Sequence, residues 1–364
     1  MYRIPEAAVK TVKKYADYTV EELSSLSLLE RISLQNWTIE YVTILSIVGY
    51  IVLFLLGSWY NQKITKKYLT LLTPFFTKTF YQYGVQKDQL YIKDVADHFT
   101  SYATGRANIA KVGISIQLKP RHNLFLWSTE AIMSFFFDSI KTPEDTVVFD
   151  VIPFNNYDNF IFGIVSKLGM DKARKLCYYL SLTRTSDSPK LPESFVFMSE
   201  ANELQEKLFT KELELALDLS SASYIKSIAF TDQPQERPEK ILDLKPSRRV
   251  VIQTKLVTGD DQLAHIGKVL EAIFNVIDKL STQEITLKPE TAKKIVRTRE
   301  IEIGKLKKIE EDEKQEKLAD EKARQRKAER EQLRKLSPEE QEKIEKKAAE
   351  KRQKKLLKKQ RIRG

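Results

Sequence analysis

The first strong feature along the chain is an unbroken apolar run. Residues 41–60, YVTILSIVGYIVLFLLGSWY, hold 20 positions without a charge. At about 1.5 Å per residue such a helix reaches across a hydrocarbon layer of about 30 Å. Trp37, Tyr41, Trp59 and Tyr60 stand at its two ends, where amphipathic rings favour the headgroup layer. Uninterrupted apolarity with aromatic ends is uncommon for a buried helix of a soluble domain. The run therefore predicts one transmembrane helix over 39–60, after a short N-terminal part, 1–38.

Beyond it the pattern changes twice. KYLTLLTPFFTKTFYQYG, residues 67–84, is apolar but interrupted by Pro74, and predicts a juxtamembrane segment (61–84) running along or under the membrane face. From 85 to 288 short strand-like alternations mix with helix-like periods. FTSYATGR and AKVGISIQLK read as strands, with Gly105 and Gly113 at tight backbone positions. HNLFLWSTEAIMSFFFDSI reads as an apolar helix too short for a second span. TVVFDVIPF and NFIFGIVSK, joined by NNYDN, read as a hairpin. MDKARKLCYYLSL and NELQEKLFTKELELALDL read as helices, the second with Leu204, Leu208, Leu213, Leu215 and Leu217 as its apolar positions. ESFVFMSE, YIKSIAFTDQ and SRRVVIQTKLV read as strands. LAHIGKVLEAIFNVIDKL closes the domain with Leu263, Ile266, Leu270, Ile273, Phe274 and Ile277 on one stripe. The expectation is one mixed α+β or α/β domain over 85–288.

From residue 289 Lys, Glu, Arg, Ala and Gln dominate. These are strong helix formers, and Glu and Lys at i,i+4 support an exposed helix. Leu306, Ile309, Leu318 and Leu333 are too sparse for a sustained heptad seam. SPEE at Ser337–Glu340 offers a cap, a proline at the first helical position and a capping box. Two charged helices are expected, 289–336 and 338–364.

Charge sharpens this outline. The chain carries a formal net charge of +11. From Ala292 onward there are 27 Lys and Arg against 16 Asp and Glu, while the residues before it hold 34 of each. A neutral body thus precedes an interaction tail. Lys63, Lys66, Lys67 and Lys78 follow the apolar run without an acidic neighbour, which places the C-terminal side in the cytosol and the N-terminus in the lumen. Asn36 of NWT is a glycosylation sequon on the far side, too close to the membrane to be used. The single cysteine, Cys177, excludes an intramolecular disulfide and reads as a small core residue.

Candidate chemistry changes the picture little. His98, His122 and His265 lie far apart in sequence, and no metal-ligand spacing or H-E-x-x-H occurs. TGRANIAKVG lacks the Gly-Lys-Ser/Thr end of a phosphate loop, and TGDDQ at 258–262 reads as a turn and helix start. The expectation is a protein that is not an enzyme, without cofactor or metal. The candidate binding residues are instead the terminal cations Lys351, Arg352, Lys354, Lys355, Lys358, Lys359, Arg361 and Arg363. Basic helical arms contact RNA phosphates without reading sequence. Anionic lipid is the rival partner, which would make the protein a membrane-contact tether, although Leu356, Leu357 and Ile362 form a poor apolar face for it.

The colinear set TGRANIAKVGISIQLKPR, PESFVFMSE, IKSIAFTDQ and RRVVIQTKLV, followed by the Lys/Glu/Arg-rich tail, resembles the calumin family. These are the coiled-coil-domain-containing endoplasmic reticulum (ER) proteins of the PAT (protein associated with translocon) complex. The resemblance implies an ER membrane protein at the Sec61 translocon and the translating ribosome, assisting multipass membrane proteins together with a small membrane partner, Asterix. It also implies that the cytosolic body and helical tail contact the ribosome near the exit site, where the eight terminal cations are expected to meet ribosomal RNA phosphates. Animal members have a longer acidic lumenal region linked to calcium; only about 40 residues precede the span here, so the chain reads as a shortened, fungal-type relative and calcium binding does not carry over.

Overall fold

The computed structural model describes residues 19–34, 37–86, 89–137, 140, 142–335, 350 and 353–354. They divide into two compact units, Met1–Gln235 with Ser247–Leu287, and Glu236–Pro246 with Lys288–Gly364.

In the first unit, the short helices α1 (Val20–Ser25) and α2 (Leu28–Leu34) precede α3 (Thr38–Thr79). Then come β1 (Gln82–Tyr83), β2 (Ile92–Lys93), β3 (His98–Thr104), β4 (Ile109–Gln117), α4 (Leu124–Phe136), β5 (Thr146–Pro153) and β6 (Phe162–Ser166). The chain continues through α5 (Met170–Leu176), α6 (Tyr178–Ser181), β7 (Arg184–Ser186), β8 (Phe195–Ser199), α7 (Asn202–Leu208) and α8 (Lys211–Ala216). β9 (Ile225–Thr231), β10 (Arg249–Lys255) and α9 (Asp260–Ser281) complete it.

The strands form one sheet in the order β1-β3-β4-β5-β10-β9-β6-β8-β7, with β2 beside β3. Every pairing is antiparallel, so the mixed fold is of the α+β kind. The expected hairpin across NNYDN does not form. β5 pairs with β4 and β10, while β6 pairs with β9 and β8, so two strands lie between them. β10 takes the free edge of β5 along six residue pairs, from Val250↔Val151 to Lys255↔Thr146. This long-range pairing outcompetes the local turn.

One face of the sheet is covered by the C-terminal half of α3 and by α9. Phe76 stacks on Phe149 at 6.4 Å and on Tyr83 at 4.9 Å, and Phe75 and Phe80 meet Phe274 at 6.4 and 5.4 Å. The stripe expected on α9 is buried at all six positions. β3 and β5 alternate buried with part-buried residues, as strands covered on one face do. β6 and β8 are buried at every position, because α5 and α6 cover their second face. Cys177 lies there among Ile161, Val165, Leu180 and Met198, the core role its sequence context predicts.

Several local expectations change. Within residues 61–84 the chain does not break at Pro74, because α3 continues through it to Thr79 with one face in the core. A proline inside a helix costs about 3 kcal/mol. Burying Tyr68, Leu69, Leu72 and Phe76 at about 1.5–3 kcal/mol each outweighs it. The helix expected at 202–219 breaks at Thr210, whose hydroxyl caps α8, and Leu215 is exposed. The helix expected at 170–182 breaks at Cys177, which is extended, and Tyr178 N–H turns to the Gln235 carbonyl. Gly105 has a positive φ of 93°, and a Cβ there would strike Tyr81. Gly113 would accept a Cβ, with its nearest neighbour 3.8 Å away.

In the second unit α10 (Pro289–Lys335) is a helix of 47 residues, packed by the 3-10 turn Ile241–Leu244. The capping residues Ser337, Pro338 and Glu340 lie outside the described residues, as does Asn36.

Candidate functional site

The position of the body relative to the apolar run is set by one stripe of α3. N-terminal to Gly57 no residue of the helix is buried. From there Gly57, Asn61, Thr65, Leu69 and then Leu72 and Phe76 are buried at spacings of three and four, the repeat of one helical face. The helix thus changes from all-round exposure to single-face packing at the end of its apolar run. Thr38–Thr79 is, among the described residues, the one helix long and apolar enough to cross a membrane.

A polar collar grips this junction. Gly57 is required because a Cβ there would collide with the backbone carbonyl of Arg121. One turn further, Asn61 is fully buried. Its Nδ2 donates to the carbonyls of Ala96 and Lys119, at 3.2 Å each, and its Oδ1 accepts from Arg121 Nη1 at 3.0 Å. Arg121 also forks onto Asp145, with Nη1–Oδ1 at 3.0 Å and Nη2–Oδ2 at 2.6 Å, the bidentate geometry that makes such pairs strong. Lys119 N–H donates to the same carboxylate at 2.9 Å. Burial alone would raise the Asp145 pKa, but these donors and the guanidinium charge hold it below its ordinary value.

Around this network two cations lie over rings at the end of the apolar run. The Arg121 guanidinium sits 5.6 Å from the Tyr60 ring centre and the Lys63 ammonium 5.2 Å from that of Trp59. Lys93 Nζ donates to Ser58 Oγ at 2.6 Å, and His122 meets Phe54 edge-on at 5.4 Å. The collar joins Gly57, Tyr60 and Asn61 of α3 to Arg121. It locks the rotation and height of the body on the apolar helix. Sequence reading missed it, although Gly57, Asn61 and Thr65 at four-residue spacing were the available signal.

A second polar cluster lies elsewhere in the unit. Arg249 Nη2 donates to the Gln233 carbonyl at 3.4 Å, Gln233 Nε2 to Asp232 at 2.8 Å, and Arg248 to Asn156 at 2.8 Å while facing the Tyr157 ring. Asp150, in the middle of β5, has its pKa raised by burial in spite of Arg249 and Lys111. The histidines lie apart from it and from one another. His98 bonds Asp94 and Ser115, His122 faces Phe54, and His265 bonds Tyr224.

Of the terminal cations, Lys354 alone is described, in a helical pair with Gln353 and exposed. Lys351, Arg352, Lys355, Lys358, Lys359, Arg361 and Arg363 lie outside the described residues.

Fold and collar together define a class: an α+β body clamped without a linker onto a membrane-capable helix. The family model of PAT complex subunit CCDC47 matches residues 36–355, and the chain belongs to that family. A UPF0674 endoplasmic reticulum membrane protein of Schizosaccharomyces pombe is 28% identical over 298 residues, 78% of this chain and 79% of the relative. A protein of the same description in Saccharomyces cerevisiae is 25% identical over 327 residues, 81% of each chain.

Proposed function

We propose that this protein is a non-enzymatic ER membrane protein that assists insertion and folding of multipass membrane proteins at the ribosome-bound Sec61 translocon. Membership of the PAT complex subunit family across residues 36–355 carries the reading, and the ER membrane names of both yeast relatives agree with it. In this reading 39–60 spans the bilayer, the N-terminus is lumenal and the body cytosolic. An Asterix-like small membrane protein sits beside the span.

The excess of positive charge after Ala292 supports a polyanionic partner for the chain end. Lys351, Arg352, Lys354, Lys355, Lys358, Lys359, Arg361 and Arg363 contact ribosomal RNA phosphates in this proposal. The test is cosedimentation with ribosomes from solubilised ER membranes, comparing the full chain with one ending at Ser337. The shortened chain is expected to stay in the membrane and leave the ribosome pellet, and the full chain to dissociate steeply with salt. Unchanged pelleting, or pelleting insensitive to salt, rejects the RNA contact.

A further inference from the structure

The helix α4 has no buried residue. Nine large apolar side chains between Leu124 and Phe137 are exposed, among them Phe125 at 78% and Phe135 at 86%. They are not confined to one stripe, so the helix is apolar nearly all round, with Glu130 its one charge. Contiguous exposure of this kind marks a surface covered by something apolar.

Its place in the fold indicates what covers it. The preceding residues bear directly on α3. The Arg121 carbonyl abuts Gly57, His122 meets Phe54, and Asn123 caps α4 by accepting from Leu126 N–H at 3.0 Å. Phe54 and Gly57 lie six and three residues before Tyr60, the end of the apolar run. At the helical rise this is about 9 and about 5 Å inside that end. α4 therefore leaves α3 at the depth of an interfacial layer. Its 13 residues extend about 20 Å, too short to cross about 30 Å of hydrocarbon.

Its hydroxyls are satisfied on the helix's own backbone, so the helix needs no water to pair them. Ser128 and Thr129 donate to the Phe125 carbonyl at 2.9 and 3.0 Å, and Ser134 to that of Ala131 at 2.9 Å. Thr43 and Ser46, within the apolar run of α3, donate backward in the same way at 2.8 and 2.7 Å.

We propose that α4 lies in the plane of the bilayer, embedded in the leaflet facing the body, as a second lipid contact. It would restrain the tilt of the body against the bilayer plane, which one span alone leaves free. The proposal rests on reading 39–60 as the span.

The test uses the full chain with Cys177→Ser, reconstituted in phosphatidylcholine vesicles, and one bimane probe at a time on Phe135→Cys, Leu53→Cys or Leu215→Cys. Leu53 lies in the apolar run, and Leu215 is exposed on the body. The probe at Phe135 should lose roughly half its emission to bromine placed shallowly in the acyl chains and resist aqueous iodide, as embedding about 5–10 Å deep requires. Quenching at Phe135 by iodide, with Leu53 still quenched by lipid bromine, overturns the proposal and leaves the span intact. Protection at Phe135 from both quenchers means a protein covers α4, and also overturns it. Iodide quenching at Leu53 overturns the span and this proposal together. Leu215 should report iodide throughout.

Discussion

At the scale of single residues, the Asn61–Arg121–Asp145 network ties three distant segments together, and its energetics follow from which partner is left behind. Removing Arg121 takes the donor from the buried Asn61 amide oxygen and leaves the part-buried Asp145 carboxylate with the Lys119 N–H in place of a charged fork. Arg121→Ala should cost about 2–3 kcal/mol, read as a lowered denaturation temperature of the detergent-solubilised protein. Two carboxylates should respond to pH with opposite signs. Asp145 has a folded-state pKa below its ordinary value, so its stabilisation is present above about pH 4 and is lost as acid protonates the folded form. Asp150 has a raised one. The folded state then binds the proton more tightly than the unfolded chain, so stability falls as pH rises through the interval between the two values. Asp150→Asn should therefore stabilise the protein at neutral pH, with the gain disappearing below about pH 4, where both states already hold the proton. A melting series from acid to neutral pH distinguishes the two. A gain for Asp150→Asn that grows towards acid would contradict the sign.

At the scale of elements, α3 does two jobs that its sequence announces unequally. The 20 uncharged residues are plain from composition, whereas the packed half depends on a stripe that begins with a glycine, a serine and an asparagine rather than large apolar residues. Apolar periodicity overlooks such a start, and Pro74 further suggests a helix end where tertiary packing overrides it. α9 was fully legible, because its six stripe residues are large and all are buried. The strands were legible by alternation or by short apolar runs, but their order was not. β10 reaches β5 from 99–109 positions away and β9 reaches β6 from 62–68, and nothing local encodes those pairings. The same apolar richness also serves opposite ends in α3 and α4. Phe76→Ala should destabilise the solubilised protein by about 3–5 kcal/mol, since its ring is fully buried among Phe80, Tyr83 and Phe149. Phe135→Ala, in an exposed ring, should change it by no more than about 0.5 kcal/mol in detergent. Equal losses at the two positions would show that α4 packs on the body after all.

At the scale of the whole molecule, the segregation of charge along the chain is what sequence reveals best and folding geometry constrains least. The body before Ala292 is neutral, α10 carries both signs, and the segment from 351 is purely basic. If the proposed RNA contact is right, these three parts contribute very differently to salt dependence. Each phosphate neutralised adds about 0.7–0.9 to the slope of log affinity against log salt. The eight terminal cations, replaced together by Gln, should therefore flatten the slope of ribosome binding by several units. Replacing Lys314, Lys317 and Lys322 of α10 by Gln should leave it nearly unchanged. These lysines are interleaved with Glu313, Glu316, Glu321 and Asp312 on an exposed helix, where intrahelical neighbours already offset them. A flattening that follows the α10 substitutions instead would move the contact from the chain end to the helix and reassign the binding residues.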